Sequence, residues 1–189
     1  MADLSIENII TSVALDQSFD LDAIVDTFEN ARWHQEESSF VVFTFSDPKR
    51  VVLLTENGFL SCTGSTSETM GKETIDQLLH LLYEQGFIDT NSYPISVQTI
   101  TASTSMTSSI DLMELMDKLP QTTLRNANEP AAYVEYIYDY SLTVLFFATG
   151  KIVINGSQPI MELENTVENI MKKLVDLGII EKGMEEIHA

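Results

Sequence analysis

The apolar positions of this chain switch between two periods, and each switch marks an element. Alternation over residues 6–15 predicts a strand. Leu21, Ile24, Val25 and Phe28 then follow the spacing of one helix face, with Asp20 as the N-cap residue. The β-rich runs 40–45 and 50–55 flank Ser46-Asp47-Pro48-Lys49, a turn signal, and predict a hairpin. A short strand over 59–63 precedes a long helix that buries Ile75, Leu78, Leu79 and Leu82. Gly86 sits where a helix C-terminus favours glycine.

The same order of patterns then recurs. A strand over 97–106 leads to a helix with Asp111 as N-cap and Leu112, Leu115, Met116 and Leu119 on one face. Runs 133–138 and 142–147 flank Asp139-Tyr140-Ser141, a short strand covers 151–155, and a long helix buries Val167, Ile170, Met171 and Leu174 before Gly178. The words themselves repeat: Ser5-Ile6-Glu7-Asn8-Ile9 aligns with Ser96-Val97-Gln98-Thr99-Ile100, an offset of 91. Later Gly58 matches Gly150, Gly64-Ser65 matches Gly156-Ser157, and Gly86 matches Gly178, at 92. The chain reads as a duplicated unit, residues 4–95 and 96–189, forming one body with a seam at Asn91-Ser92-Tyr93-Pro94. The simplest packing is α+β: an antiparallel sheet with the helices on one side and its other face open. An open apolar face of that size marks a binding site.

Composition narrows the function. The chain has 189 residues, 44% of them apolar, enough for a buried core. Its formal charge is −19, so nonspecific attraction to a polyanion is opposed and any nucleic-acid reading must confront that. Cys62 is the single cysteine, which excludes an internal disulfide and fits a buried small side chain in a reducing compartment. No apolar run reaches the ~20 residues of a membrane span, and the first residues carry no signal pattern, so an intracellular protein without a membrane partner is expected. His34, His80 and His188 lack ligand spacing, so no metal is expected. No phosphate loop or nucleophile elbow is present, so neither cofactor nor enzyme activity is expected. The acids read as a solvated surface, and the tail 181–189 as a fraying end.

Ile6-Glu7-Asn8-Ile9-Ile10, Asp20-Leu21-Asp22-Ala23-Ile24, Asp47-Pro48-Lys49, Cys62-Thr63-Gly64 and Phe147-Ala148-Thr149-Gly150-Lys151-Ile152-Val153, in this order, carry a resemblance. The chain resembles the TATA-box-binding protein family over nearly its whole length, archaeal members most. The resemblance implies a saddle of about ten strands with pseudo-two-fold symmetry, a curved antiparallel sheet and helices on the convex face. It implies a concave sheet that grips the DNA minor groove, reads its width and deformability, and bends the duplex with apolar wedges.

Carried over residue by residue, the resemblance puts Asn8, Ile10, Leu53, Thr63, Leu145, Phe147 and Val153 on the contact face, and Lys151, Lys49 and Arg50 against phosphates. Only Phe147 matches one of the family's four wedge phenylalanines; the other positions hold Thr55, Ser38 and Pro130, with Phe40 and Tyr133 near enough to substitute. Thr99 stands for the second central asparagine, Asn155 for the second threonine, and Tyr136 and Thr66 for an arginine and a lysine. Glu129 alone remains of the acids that meet a transcription factor B-like partner. Two readings follow. One is an initiation factor that bends promoter DNA with a depleted contact set, in the cytoplasm of an archaeon at its nucleoid, or in the nucleus of a eukaryote. The other is a paralog that keeps the fold, has lost normal TATA binding, and serves as a protein-interaction module in transcription. Without DNA, the open face is expected to pair as a homodimer.

Overall fold

A computed structural model describes residues 4–34, 39–127, 131–157 and 159–180, with the backbone of 187–188. The chain divides into two compact units: Asn8–Gln98, called here the first unit, and Thr99–Ala189 with Met1–Glu7, the second.

The first unit is built on strands β1 (Ser5–Ala14), β2 (Ala31–Trp33), β3 (Phe40–Phe45), β4 (Arg50–Thr55) and β5 (Phe59–Ser65). They order as β2-β3-β4-β5-β1, all neighbours antiparallel. Helices α1 (Leu21–Thr27) and α2 (Glu68–Glu84) lie against one side. Alternation explains which side. Val41 and Phe43 of β3, Val52 and Leu54 of β4, and Leu60 and Cys62 of β5 are buried with Ile24, Ile75, Leu78, Leu79 and Leu82 of the helices. Burial also pushes the Cys62 thiol up from its ordinary pKa, with the Ser65 hydroxyl, 3.8 Å from Sγ, acting against it. Gly71 of α2 permits a close approach to the sheet, since a Cβ there would lie 2.8 Å from Thr11 Cγ2.

The second unit repeats this construction. Its strands β6 (Ser96–Met106), β7 (Thr122–Arg125), β8 (Tyr133–Asp139), β9 (Leu142–Phe147) and β10 (Lys151–Gly156) order as β6-β10-β9-β8-β7, again antiparallel. Helices α3 (Leu112–Lys118) and α4 (Ile160–Asp176) follow in the same places in the order. Val134, Tyr136, Val144, Phe146, Ile152 and Ile154 are buried, as are Leu163, Val167, Ile170, Met171 and Leu174 of α4.

Local geometry repeats with the order. Asp20 caps α1 at φ −77°, ψ 101°, accepting from the backbone N–H groups of Asp22 and Ala23. Asp111 caps α3 at φ −76°, ψ 109°, accepting from those of Met113 and Glu114. Phe28 and Leu119, read as the last apolar positions of these helices, are buried one step beyond them as C-cap residues. Gly86 and Gly178 both adopt positive φ just after the long helices.

One short strand per repeat escapes the sequence reading, and one part of the tail differs from it. Strands β2 and β7 are too short to show a period, and their pairing with β3 and β8 is what makes them strands. A further short strand, β11 (Ile187–His188), pairs with Met106 and Ser105 of β6, so this part of the tail is not the frayed end expected. Among the described residues, no helix is long and apolar enough to cross a membrane.

Candidate nucleic-acid interface

Each sheet covers one face with helices and leaves the other without them. Register assigns the side chains of the open face to three rows. In the first unit the outer row is His34–Phe40–Thr55, the middle row Arg32–Val42–Leu53–Ser61–Ser12, and the inner row Thr44–Val51–Thr63. In the second unit the outer row is Arg125–Tyr133–Phe147, the middle row Thr123–Glu135–Leu145–Val153–Ser103, and the inner row Ile137–Thr143–Asn155–Thr101. Most of these side chains are half-buried or exposed, whereas their sequence neighbours are buried under the helices.

The outer rows differ between the units. Tyr133 and Phe147 are cross-strand partners with ring centroids 5.4 Å apart. They form an aromatic pair on the open face, so Tyr133 supplies the ring that Pro130 does not; Pro130 and Ser38 themselves lie outside the described residues. Among the described residues of the first unit, the cross-strand partner at this place is a threonine rather than a second ring. Phe40 stands opposite Thr55 and stacks on His34 at 5.0 Å. The Thr55 hydroxyl accepts the Phe59 backbone N–H at 3.1 Å and bonds the Asn57 side chain, so it ties down the turn between β4 and β5. A residue engaged in that way cannot be levered between bases.

The inner rows hold the polar groups. Asn8 Nδ2 donates to Thr63 Oγ1 at 3.0 Å, and the Gly64 backbone N–H donates to Asn8 Oδ1 at 2.8 Å. The amide is thereby fixed in orientation before any ligand arrives. Gly64 is required by this arrangement: its φ is +88°, and a Cβ would lie 2.9 Å from the Lys49 carbonyl oxygen. Gly64→Ala is expected to cost roughly 1–3 kcal/mol of stability, read as a lowered denaturation midpoint. In the second unit a different threonine–asparagine pair joins the corresponding strands. Thr101 Oγ1 donates to Asn155 Oδ1 at 3.2 Å across β6 and β10. The second asparagine, absent at Thr99, therefore stands on the neighbouring strand.

Ile10 lies at the register break between Ile9 and Thr11 and is half-buried, facing away from the buried Ile9. Leu53, Leu145 and Val153 lie in the middle rows. The cations are arranged otherwise than expected. Arg50 shares the side of Val52 and Leu54, and its Nε donates to the Pro48 carbonyl at 3.1 Å, so it does not join the open face. Lys49 is exposed in the hairpin turn before it. Arg32, which the sequence reading passed over, is exposed in the middle row of the first unit. Tyr136 is buried on the helix side, where Lys173 Nζ donates to its hydroxyl at 2.9 Å. The arginine it replaces is therefore no loss to the open face.

Two carboxylates also reach the open face of the second unit. Glu135 Oε2 accepts from Arg125 Nε at 2.8 Å. Glu7 accepts from the Ser103 hydroxyl, and Lys151 Nζ lies 3.9 Å from its Oε1. Among the described residues no group of three or more His, Cys, Asp or Glu side chains is placed to hold a metal ion.

Among the described residues these faces offer apolar side chains, hydroxyls, two hydrogen-bonded amides, one cross-strand aromatic pair and a few paired charges. That set suits a shallow groove carrying few distinguishing hydrogen-bond groups. Comparison with known proteins agrees. The family described as transcription factor TFIID (or TATA-binding protein, TBP) matches residues 3–85 and 94–177. The chain belongs to this family. TATA-box-binding protein B of Halobacterium salinarum is 29% identical over 94% of this chain and 96% of its own length. The TATA-box-binding protein of Sulfurisphaera tokodaii is 29% identical over 97% and 92%. Among solved structures, Methanococcus jannaschii TBP superposes with a TM-score of 0.78 at 23% identity, covering 92% of this chain and 99% of that one. The α+β fold with its duplicated unit is thus the fold of that family.

Proposed function

We propose that the chain is a transcription initiation factor that binds A·T-rich promoter DNA in the minor groove and bends it, making and breaking no covalent bond. The observation that carries this is the Tyr133–Phe147 pair standing on the open sheet face at a family wedge position. A ring pair there is placed to part a base step, while Leu53, Leu145 and Val153 press on the groove floor. Asn8 and Asn155 present amides to the N3 and O2 acceptors that A·T and T·A share. Lys151, Lys49 and Arg32 supply the cations for phosphates. Each repeat, 4–95 and 96–189, contributes its own open face. The bend is one-sided, because the first unit holds Phe40 against His34 and has Thr55 in place of a wedge.

The natural setting of this activity is an archaeal nucleoid, with a transcription factor B-like protein as the second partner. Glu129, the residue carried over for that contact, lies outside the described residues. Without DNA, the same apolar faces close on a second copy as a homodimer. A second reading, a TBP-fold paralog serving as a protein-interaction module, draws support from Glu135, a carboxylate in the middle row where a polyanion is to bind.

The test is a titration of a labelled TATA duplex and a G·C duplex by fluorescence anisotropy at several salt concentrations. Promoter binding predicts a TATA preference and a linear fall of log K with log salt. No complex with either duplex at low salt, from folded protein, contradicts the first reading and leaves the second.

A further inference from the structure

We propose that Glu135 and Glu7 are built-in counterions, which occupy Arg125 and Lys151 on the open face and hold DNA affinity below what those cations alone would give. The inference rests on the reading of this face as the one that meets DNA. Glu135 is no requirement of the sheet: Val42 holds the corresponding middle-row place in the first unit, between Arg32 and Leu53. Its side chain is only 24% exposed, since it lies along the sheet between Thr123 and Leu145 to reach the guanidinium of Arg125. That contact, 2.8 Å from Nε to Oε2, is a charge-assisted hydrogen bond, the strong kind. Its effect on Arg125 is to raise the pKa further above the ordinary arginine value.

Glu7 does the same at the other end of that row. Ser103, opposite Val153, donates its hydroxyl to the carboxylate, which holds Glu7 over the row and within 3.9 Å of the Lys151 ammonium. Both cations flank the aromatic pair: Arg125 is the cross-strand partner of Tyr133, and Lys151 opens the strand beside Phe147. A phosphate that reaches either cation must take it from a carboxylate and leave that carboxylate facing the duplex. Counterion release then gains less per contact, because the cation was already partly neutralised. The first unit has no counterpart: among the described residues, Arg32 is in no ion pair.

Glutamine keeps the shape of each side chain and its capacity to accept a hydrogen bond, and removes the charge. Glu135→Gln and Glu7→Gln are each expected to tighten binding to a TATA duplex by about tenfold. Each is also expected to steepen the slope of log K against log salt by about one, the increment of one added phosphate contact. Glu73→Gln, on the outer face of α2, removes the same charge away from the sheet and serves as the control. Arg125→Ala added to Glu135→Gln is expected to cancel the gain. Wild-type binding that neither sheet-face variant improves beyond the control overturns the inference and leaves the DNA reading standing. Absence of binding by every variant overturns both.

Discussion

Phe147→Ala is expected to weaken TATA binding by roughly ten- to a hundredfold and to reduce the bend, measured by anisotropy and by energy transfer between end labels. Stacking of a base on an aromatic side chain is worth about 1–3 kcal/mol, which sets that range. The bend amplifies the loss. Kinking a duplex costs a few kcal/mol, and with one wedge pair present nothing else on the described faces replaces it. Stability should change little, by about 1 kcal/mol, the worth of the contact with Tyr133. Tyr133→Ala should act in the same direction.

The adjacent residue behaves oppositely. Phe146→Ala is expected to destabilise the fold by about 3–5 kcal/mol, measured by denaturant or thermal unfolding. Phe146 is 0% exposed, lies between Val134 and Ile152 on the helix side of the sheet, and stacks near Tyr136 at 6.4 Å. The cavity left by the ring has no route to collapse in a close-packed core. A loss of this size approaches the whole stability of an ordinary domain. DNA binding by Phe146→Ala is then lost only as the folded fraction falls, and low temperature or a stabilising osmolyte restores it. Neither restores Phe147→Ala. Two neighbours in one strand thus separate the fold from the face, because strand geometry sends them to opposite sides.

Much of this was legible in the sequence for the same reason. Periodicities of the long helices and β-rich runs follow from burial on one side, and burial leaves its mark residue by residue: Ile75, Leu78, Leu79 and Leu82 were readable as a stripe. The duplication was readable because Asp20 and Asp111 do the same capping work in both repeats. The open face was legible where alternation alone sets a residue's side, as for Phe147 and Leu53. Roles that depend on which strand lies next to which were not. Asn8 and Thr63 bond across β1 and β5, Thr101 and Asn155 across β6 and β10, and position-by-position alignment cannot see a hydrogen bond that crosses strands. Glu135 and Glu7 looked like two more of a large surplus of acids until register put one beside Arg125 and a hydroxyl placed the other near Lys151. Arg50 looked free because a turn signal says nothing about which side of the sheet its flanking residue takes.

The most direct measurement of the central claim separates the two grooves of the target. Replacing each A·T pair of the TATA duplex by I·C keeps the acceptors of the minor groove and rewrites those of the major groove. Binding within a few-fold of the parent duplex, with the same bend, is the result predicted for a protein that grips through these sheet faces. Loss of binding to the I·C duplex, as complete as to G·C, would contradict it.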